Sequence, residues 1–542
     1  MKPAYLSDLA AILIGTVTDS AAARAYFATD GSIFTMTPQG VVYPKNTADV
    51  RKLVAVVDER AKAGKGGSLT ARGMGTDQSG GALTEGLQVI FPSHMNRILR
   101  LDKDTVTVQP GIGYRTLQQT LHTHGRFLPP YPSSIDYSSV GGAVGNNAAG
   151  EKSVKYGVTA DFVRRLKVVL SDGSLIQTGR LSRRELSRKQ GQSDLEGAIY
   201  RKVDAIVDEH AALITRRQPA TSKNAAGYAL SRVKRADGSL DLTPLVVGSQ
   251  GTLGVVTEIT LATAAWNPRT TLVVGYLPSL TMLGDVVQKI MALKPSAFEI
   301  VDSYLLEIIR RTRPHDLDGL IPEETPKVVL LVEFDDFSRL SQTVKSRRAQ
   351  KILISHGAAA RISTDPVEQE ALWKIRHSAA AVIWLNDGAK KALPFIEDGV
   401  VPVKNLSKFL DQTYQILARH DLDIAVWGHA GDGHLHLQPY LDLGKKKDVE
   451  TLFEVSREFH AMVIALGGST CGEHNDGLAR GPFLRELYGD EMYGLFEQVK
   501  AVFDPHSILN PGKKLGVTEA IQRSYLRKEY SMKHLYDHMP RT

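Results

Sequence analysis

Within VVYPKNTADVRKLVAVVDERAKAG (41–64) apolar side chains return every three or four positions. Val50, Leu53 and Val57 fall on one side of a helix, with charged residues between them. Asn46-Thr47 offers a cap for its first turn, and Pro44 ends a short strand, VVYP, just before it. SLTARG then resumes as strand and runs into glycine. The first 36 residues read as a helix and a turn, stopped at Asp30-Gly31. From 68 to about 261, short β-branched runs alternate with glycine-rich connections and a few helices, an α+β texture. Beyond Trp266 the strands TTLVVGYL and KVVLLVEF alternate with the helical stretches LPSLTMLGDVVQKIMAL and LSKFLDQTYQILARH. That alternation predicts a second, α/β domain with its own sheet. The pattern divides the chain into an N-terminal helical segment (1–36), a first domain (37–264), a second (265–515) and a tail (516–542). The tail is charged and carries three Tyr; it is expected to pack on the body or fray rather than to dock elsewhere. No repeat of 20–50 residues is visible.

The chain's 542 residues suit two to four domains, and 42% hydrophobic and 23% charged residues are ordinary for a soluble enzyme. The single cysteine excludes a disulfide framework, a cysteine-rich zinc site and an iron–sulfur cluster held by this chain alone. Redox chemistry would therefore need an organic cofactor, or a metal on His and carboxylate ligands. The net charge of +7 is spread over basic runs at 180–189, 345–351 and 445–447 that lack interleaved aromatics, so no nucleic-acid partner is expected. No apolar run approaches the roughly 18–20 residues of a membrane span, and the opening MKPAYLSDLAAILIG is too interrupted for a signal peptide. A cytoplasmic location is the expectation, with peripheral attachment to the inner face of the membrane as its variant.

Eight glycines fall within 64–86, around RGMGTDQSGGA (72–82). Glycine there lets successive backbone N–H groups approach an anion. A dinucleotide fingerprint would need a glycine at position 78 and a following helix. Gln78 and the strand-like ALTEGLQVIF disfavour a Rossmann domain. Two more glycine clusters follow, in PPYPSSIDYSSVGGAVGNNAAG (129–150) and GSQGTLG (248–254).

A separate constellation joins GHAGDGHLH (428–436) to GEHNDG (472–477). Two imidazoles and a carboxylate with open positions suit a catalytic Zn²⁺ or Mn²⁺. His429 and His436, seven apart, would face opposite ways on one uninterrupted strand, but Gly431-Asp-Gly433 supplies a break. His434 and His436 share a face on any strand and are the rival pair. His474 follows Glu473 and is a candidate general base, since an imidazole with pKa near ~6.5 accepts a proton at neutral pH.

The glycine segments, in this order and spacing, resemble the FAD-binding domain of the vanillyl-alcohol oxidase/p-cresol methylhydroxylase (PCMH) flavoproteins. The nearest branch holds D-lactate dehydrogenase, the glycolate oxidase D-subunit and D-2-hydroxyglutarate dehydrogenase, and the likeness runs from Val41 to Lys513. It implies an α+β fold: a PCMH-type FAD-binding domain followed by an α/β substrate domain, the FAD-linked oxidase C-terminal domain. It also implies FAD with its pyrophosphate over 72–77 and its isoalloxazine beside 132–150. The residues it assigns to the cofactor are Arg72, Gly73, Met74, Gly75, Thr76, Asp77, Pro132, Ser133, Ser134, Ser139, Gly142, Asn146, Gly150, Thr257, Ile259 and Asn510. No His lies within 72–81, so the FAD is expected to be non-covalent. Family members usually read RGGGTGLSGGA; Met74, Asp77 and Gln78 depart from that spelling.

By the same resemblance His429, His436 and Glu473 are the metal ligands, and His474 is the base. The family has GDGNLH where this chain has His434, left as a second-layer or extra donor, and GEHGIG where it has Asn475 and Asp476. Arg376 matches a W-x-x-R element and is assigned to the substrate carboxylate, with Lys390 and Lys391 as alternatives. Asn224 and Tyr228 resemble a segment near the substrate, and Cys471 is taken as a small packed residue. The implied activity is oxidation of a D-2-hydroxy acid such as D-lactate, with electrons leaving to a quinone, a cytochrome or another flavoprotein. D-2-hydroxyglutarate or glycolate oxidation, an alkylglycerone-phosphate synthase-like transfer, and a non-catalytic FAD subunit are the rival readings. A homodimer stays open.

Overall fold

The computed structural model describes residues 4–312, 314–384 and 388–531. In the first half, Thr16–Thr18, Gly40–Tyr43, Leu87–Ile90 and Leu69–Arg72 lie side by side in that order. The last three run parallel, which requires crossovers between them. One crossover is the helix Thr47–Lys62, and the Asn46 side chain accepts from Asp49 N at its start. Val50, Leu53, Val54 and Val57 of this helix are buried against the sheet. The other crossover, between Leu69–Arg72 and Leu87–Ile90, contains the glycine loop and no helix, which leaves its backbone N–H groups free of a ladder. A five-stranded antiparallel sheet follows, in the order Ile98–Leu101, Thr105–Val108, Val255–Ala262, Val163–Val169, Leu175–Gln177.

The second half is built on an eight-stranded sheet. Its order is Ala359–Ser363, Thr271–Leu277, Val328–Phe334, Ala297–Asp302, Ile424–His429, His434–Leu441, Lys391–Ala392, with Gly399–Val400 also paired to His434–Leu441. Every pairing in it is antiparallel, so alternating strands and helices produce an α+β layer here, not a parallel sheet. Helices cover both faces. Val328, Leu330 and Val332 enter one apolar cluster, while Val329 and Leu331 enter another. Burial on both faces is why KVVLLVEF is continuously apolar.

Core packing does not follow a single cut near residue 264. The helix Leu484–Phe503 sends Leu484, Tyr488, Met492, Phe496 and Phe503 into the core of the five-stranded sheet. Leu509 bridges to Leu69 on the first sheet. In the opposite direction, Ile33, Phe34 and Met36 join the second domain's core. Within residues 4–36, Thr16–Thr18 is a strand of the first sheet, too short for its period to show in sequence. The tail packs on the body as far as it is described. After the helix Glu519–Tyr525, the Arg527 Nε donates to Phe34 O at 2.9 Å and the Tyr530 hydroxyl to Gly31 O at 2.9 Å. Residues 532–542 lie outside the described residues. No helix among the described residues is long and apolar enough to cross a membrane.

Phe496 is fully buried, 5.0 Å from the Tyr488 ring and 5.8 Å from the Tyr228 ring. Phe496→Ala is expected to cost about 3–5 kcal/mol of stability, read as a lower urea midpoint, despite its distance in sequence from the sheet it supports.

Candidate active site

A cavity of about 680 Å³ opens between the two halves. Arg72, Gly73, Met74, Gly75, Thr76 and Asp77 line it, as do Pro132, Ser133, Ser134, Ser139, Gly142 and Asn146. The glycines are needed for shape. A Cβ on Gly73 would lie 2.2 Å from Ser139 Oγ, and one on Gly75 (φ +79°) would lie 2.1 Å from Arg72 Nη2. The Arg72 guanidinium passes beneath the loop to donate to Thr29 O at 2.8 Å. Asp77 accepts from Gly81 N at 2.6 Å, Ser79 Oγ at 2.9 Å and Asn146 Nδ2 at 2.8 Å, joining the first glycine loop to the second. A cavity of this size, walled by a Cβ-free backbone, fits an extended dinucleotide.

Four residues assigned to the cofactor are placed elsewhere. Thr257 and Ile259 point into the core, because alternation along Val255–Ala262 brings Val256 to the cavity instead. Gly150 packs behind the wall; a Cβ there would lie 2.0 Å from Tyr131 O. Asn510 braces the loop from the rear, donating to Gly81 O at 2.8 Å and Gln250 O at 2.7 Å. Asn224 and Tyr228 are likewise held away from the cavity, on Tyr488 and Thr252. Lys390 is exposed, and neither it nor Lys391 lines the cavity.

The histidine cluster closes one end. Ile424–His429 and His434–Leu441 form a hairpin, turned by Ala430–Asp432 and by Gly433 at φ +66°. In its register His429 opposes His434 and Trp427 opposes His436, so all four side chains share one face. The break at Gly431–Gly433 thus brings the pair seven apart together with its rival. His429 Nε2, His436 Nε2 and Glu473 Oε1 form a triangle with sides of 3.2, 3.3 and 3.4 Å. Ligands about 2.0–2.1 Å from one tetrahedral ion lie roughly 3.3 Å apart, so this donor set fits a divalent metal.

Two of the imidazoles are tied on their far side to a buried acid: His429 Nδ1 lies 2.8 Å from Glu299, and His434 Nε2 lies 2.9 Å from Asp398. His474 Nδ1 lies 2.5 Å from Glu397 Oε2, and Arg480 pairs with Glu397 Oε1 at 2.9 Å. Burial opposes the charged form of His474, but Glu397 first and then Asp398 raise it to about 10. Burial alone would raise Glu473; Lys223, donating to Oε2 at 2.9 Å, and His429 outweigh it and hold the carboxyl well below the ordinary range. Arg376 lines the cavity and donates its Nε–H to Glu299 at 2.8 Å, which links it to His429. Cys471 is fully buried, its thiol donating to Asp476 at 3.1 Å and pushed up by burial. Sequence reasoning missed Glu299, Glu397, Asp398, Arg480 and Lys223. The one available signal was the adjacent pair of acids inside the apolar run LPFIEDGVVP.

Residues 38–179 match the FAD binding domain, and 267–514 match the FAD linked oxidases, C-terminal domain. The glycolate oxidase subunit GlcD of Bacillus subtilis is 30% identical over 504 residues, covering 91% of this chain and 93% of that protein. D-2-hydroxyglutarate dehydrogenase of Escherichia coli is 31% identical over 92% of this chain, which spans only 50% of that longer protein. Among solved structures, 4-ethylphenol oxidase from Gulosibacter chungangensis superposes with a TM-score of 0.68 at 16% identity, covering 95% of this chain and 97% of that one; this likeness concerns the fold.

Gly75→Ala forces a left-handed alanine against the Arg72 guanidinium. The variant is expected to fold but to lose retained flavin, measured as visible absorbance of the purified protein against its far-ultraviolet dichroism.

Proposed function

Because the chain belongs to the family of FAD-linked oxidases, we propose that it is a flavin-dependent dehydrogenase of a D-2-hydroxy acid, a monocarboxylate of the D-lactate type. The observation that carries this reading is the convergence of the His429–His436–Glu473 triangle, His474 and Arg376 at one end of the FAD cavity. When bound, FAD supplies the hydride acceptor and a divalent ion, Zn²⁺ or Mn²⁺, the Lewis acid for the substrate hydroxyl.

The chain's own residues do the rest. Arg376, its Nε anchored on Glu299, turns the remainder of its fork toward the substrate carboxylate and so presents C2–H to the flavin side. His474 donates Nδ1–H to Glu397, which fixes the tautomer and leaves Nε2 to take the hydroxyl proton. The surrounding carboxylates stabilise the imidazolium so formed, and a divalent ion held by His429, His436 and Glu473 would oppose them and favour the neutral ring before the proton moves. The electrons then leave to an external acceptor.

The monocarboxylate preference follows from the charges on the cavity wall. Lys152 is paired with Glu333, Arg115 with Asp136 at 2.6 Å, and His377 with Glu151 at 3.2 Å. A second substrate carboxylate would therefore meet acids already holding these cations and compete with them for the same charges.

Anaerobic mixing of the holoprotein with single acids tests the reading. D-Lactate is expected to bleach the flavin, L-lactate not to, and a chelator to abolish the reaction. Bleaching by no 2-hydroxy acid at all would sink the reading, and faster bleaching by D-2-hydroxyglutarate than by D-lactate would overturn the monocarboxylate preference. His474→Ala should retain FAD and lose at least ~10²-fold in turnover; a fully active variant removes His474 as the base.

A further inference from the structure

His434 has no part in the three-ligand triangle, yet its surroundings are those of a ligand. The ring is fully buried and does not line the cavity, so it does not face substrate. Its Nε2 lies 2.9 Å from Asp398 Oδ1, an acid that also accepts from Glu473 N at 3.0 Å and His474 N at 2.8 Å. With Nε2–H donated there, Nδ1 carries the lone pair. That Nδ1 is buried and has no hydrogen-bond partner among the described residues. A buried imidazole nitrogen left bare is costly unless something accepts its lone pair.

The nitrogen is aimed at the metal-type cluster. One donor atom each from His429, His434, His436 and Glu473 lies within 4.8 Å of the others. The ring is also clamped in that orientation. A Cβ on Gly472 would fall 2.7 Å from Nε2 and 2.9 Å from the adjoining ring carbons, so the residue before Glu473 has to be glycine for the ring to sit there. Lys223 donates to Glu473 Oε2 at 2.9 Å, the oxygen that His434 Nδ1 faces from 3.9 Å, and Oε1 is left to His429 and His436. A histidine that gives one N–H to a buried carboxylate and turns the other nitrogen inward is the arrangement that orients metal-bound imidazoles. His429, on Glu299, has the same arrangement.

We propose that His434 is a fourth protein ligand, through Nδ1, so that this chain holds its divalent ion with three imidazoles and one carboxylate. The related motif spells asparagine at this position. The proposal rests on the reading that a divalent ion binds here. It implies that the ion is retained more tightly than by three ligands, and that a substrate hydroxyl joins as a fifth ligand rather than filling a fourth position.

X-ray absorption of the Zn²⁺-loaded holoprotein decides between three and two imidazoles per zinc without any variant. Three are expected. His434→Asn should show two, with zinc affinity in equilibrium dialysis lowered by on the order of 100-fold or more and FAD content unchanged. Two imidazoles in the unaltered protein would overturn the proposal and leave the metal reading standing, as would an unchanged imidazole count in His434→Asn beside a weakened affinity. No zinc or manganese bound by the unaltered protein would overturn both.

Discussion

The wall of the active site depends on burying carboxylates directly behind imidazoles. Glu299, Asp398 and Glu397 each fix one ring, of His429, His434 and His474 respectively. All three acids are fully buried. They persist there because cations are buried with them: Arg376 on Glu299, Arg480 on Glu397 and 3.8 Å from Asp398, and Lys223 on the neighbouring Glu473. Removing one member of such a pair strands a charge at about 3–5 kcal/mol, so the assembly is stable only when complete. Completeness is also what gives it chemical use. Each ring is held in one tautomer and one orientation before any ligand arrives.

With Glu473 and Asp432 the site holds five buried carboxylates, against the three fixed cations Lys223, Arg376 and Arg480. That negative excess suits a divalent cation. It also accounts for the directions of the shifts: His429 and His474 are raised, and Asp398, losing more to burial than it gains from its neighbours, rises to about 6.

The departures from the related spelling end in connected contacts. Asp77 takes the Asn146 amide at 2.8 Å, and Asn475 Nδ2 donates to Asn146 O at 3.1 Å. Asp476 is paired with Lys514 at 2.6 Å and accepts from Gly227 N at 2.8 Å. Gln250 joins the same assembly through Ser79 at 2.8 Å and Gly477 N at 2.8 Å. The segment that carries Glu473 and His474 is thereby stitched to both glycine loops. Gln78 is the exception: its Oε1 is buried without a hydrogen-bond partner among the described residues, and nothing in the structure explains it.

Local chemistry was enough to locate the amphipathic helix that carries Val50, Leu53 and Val57, several of the longer strands, the glycine loops and the two metal-type motifs. Each depends on periodicity or on a residue type that backbone geometry demands over a few positions. Resemblance carried the cofactor assignment further: the residues it named from 72 to 146 line the cavity, and Thr257, Ile259, Gly150 and Asn510 do not. Those four placements share a cause. Which face of a strand meets the cavity, and whether a glycine or amide lies before or behind a wall, is settled by layers that pack from distant parts of the chain. The same holds for the return of Leu484–Phe503 to the first domain and for the acids behind the histidines. A buried carboxylate has no local period, since its burial is balanced by a cation that the fold brings from elsewhere. The sequence by itself determined which chemistry was available; the tertiary structure decided which nitrogen of each histidine is free to use it.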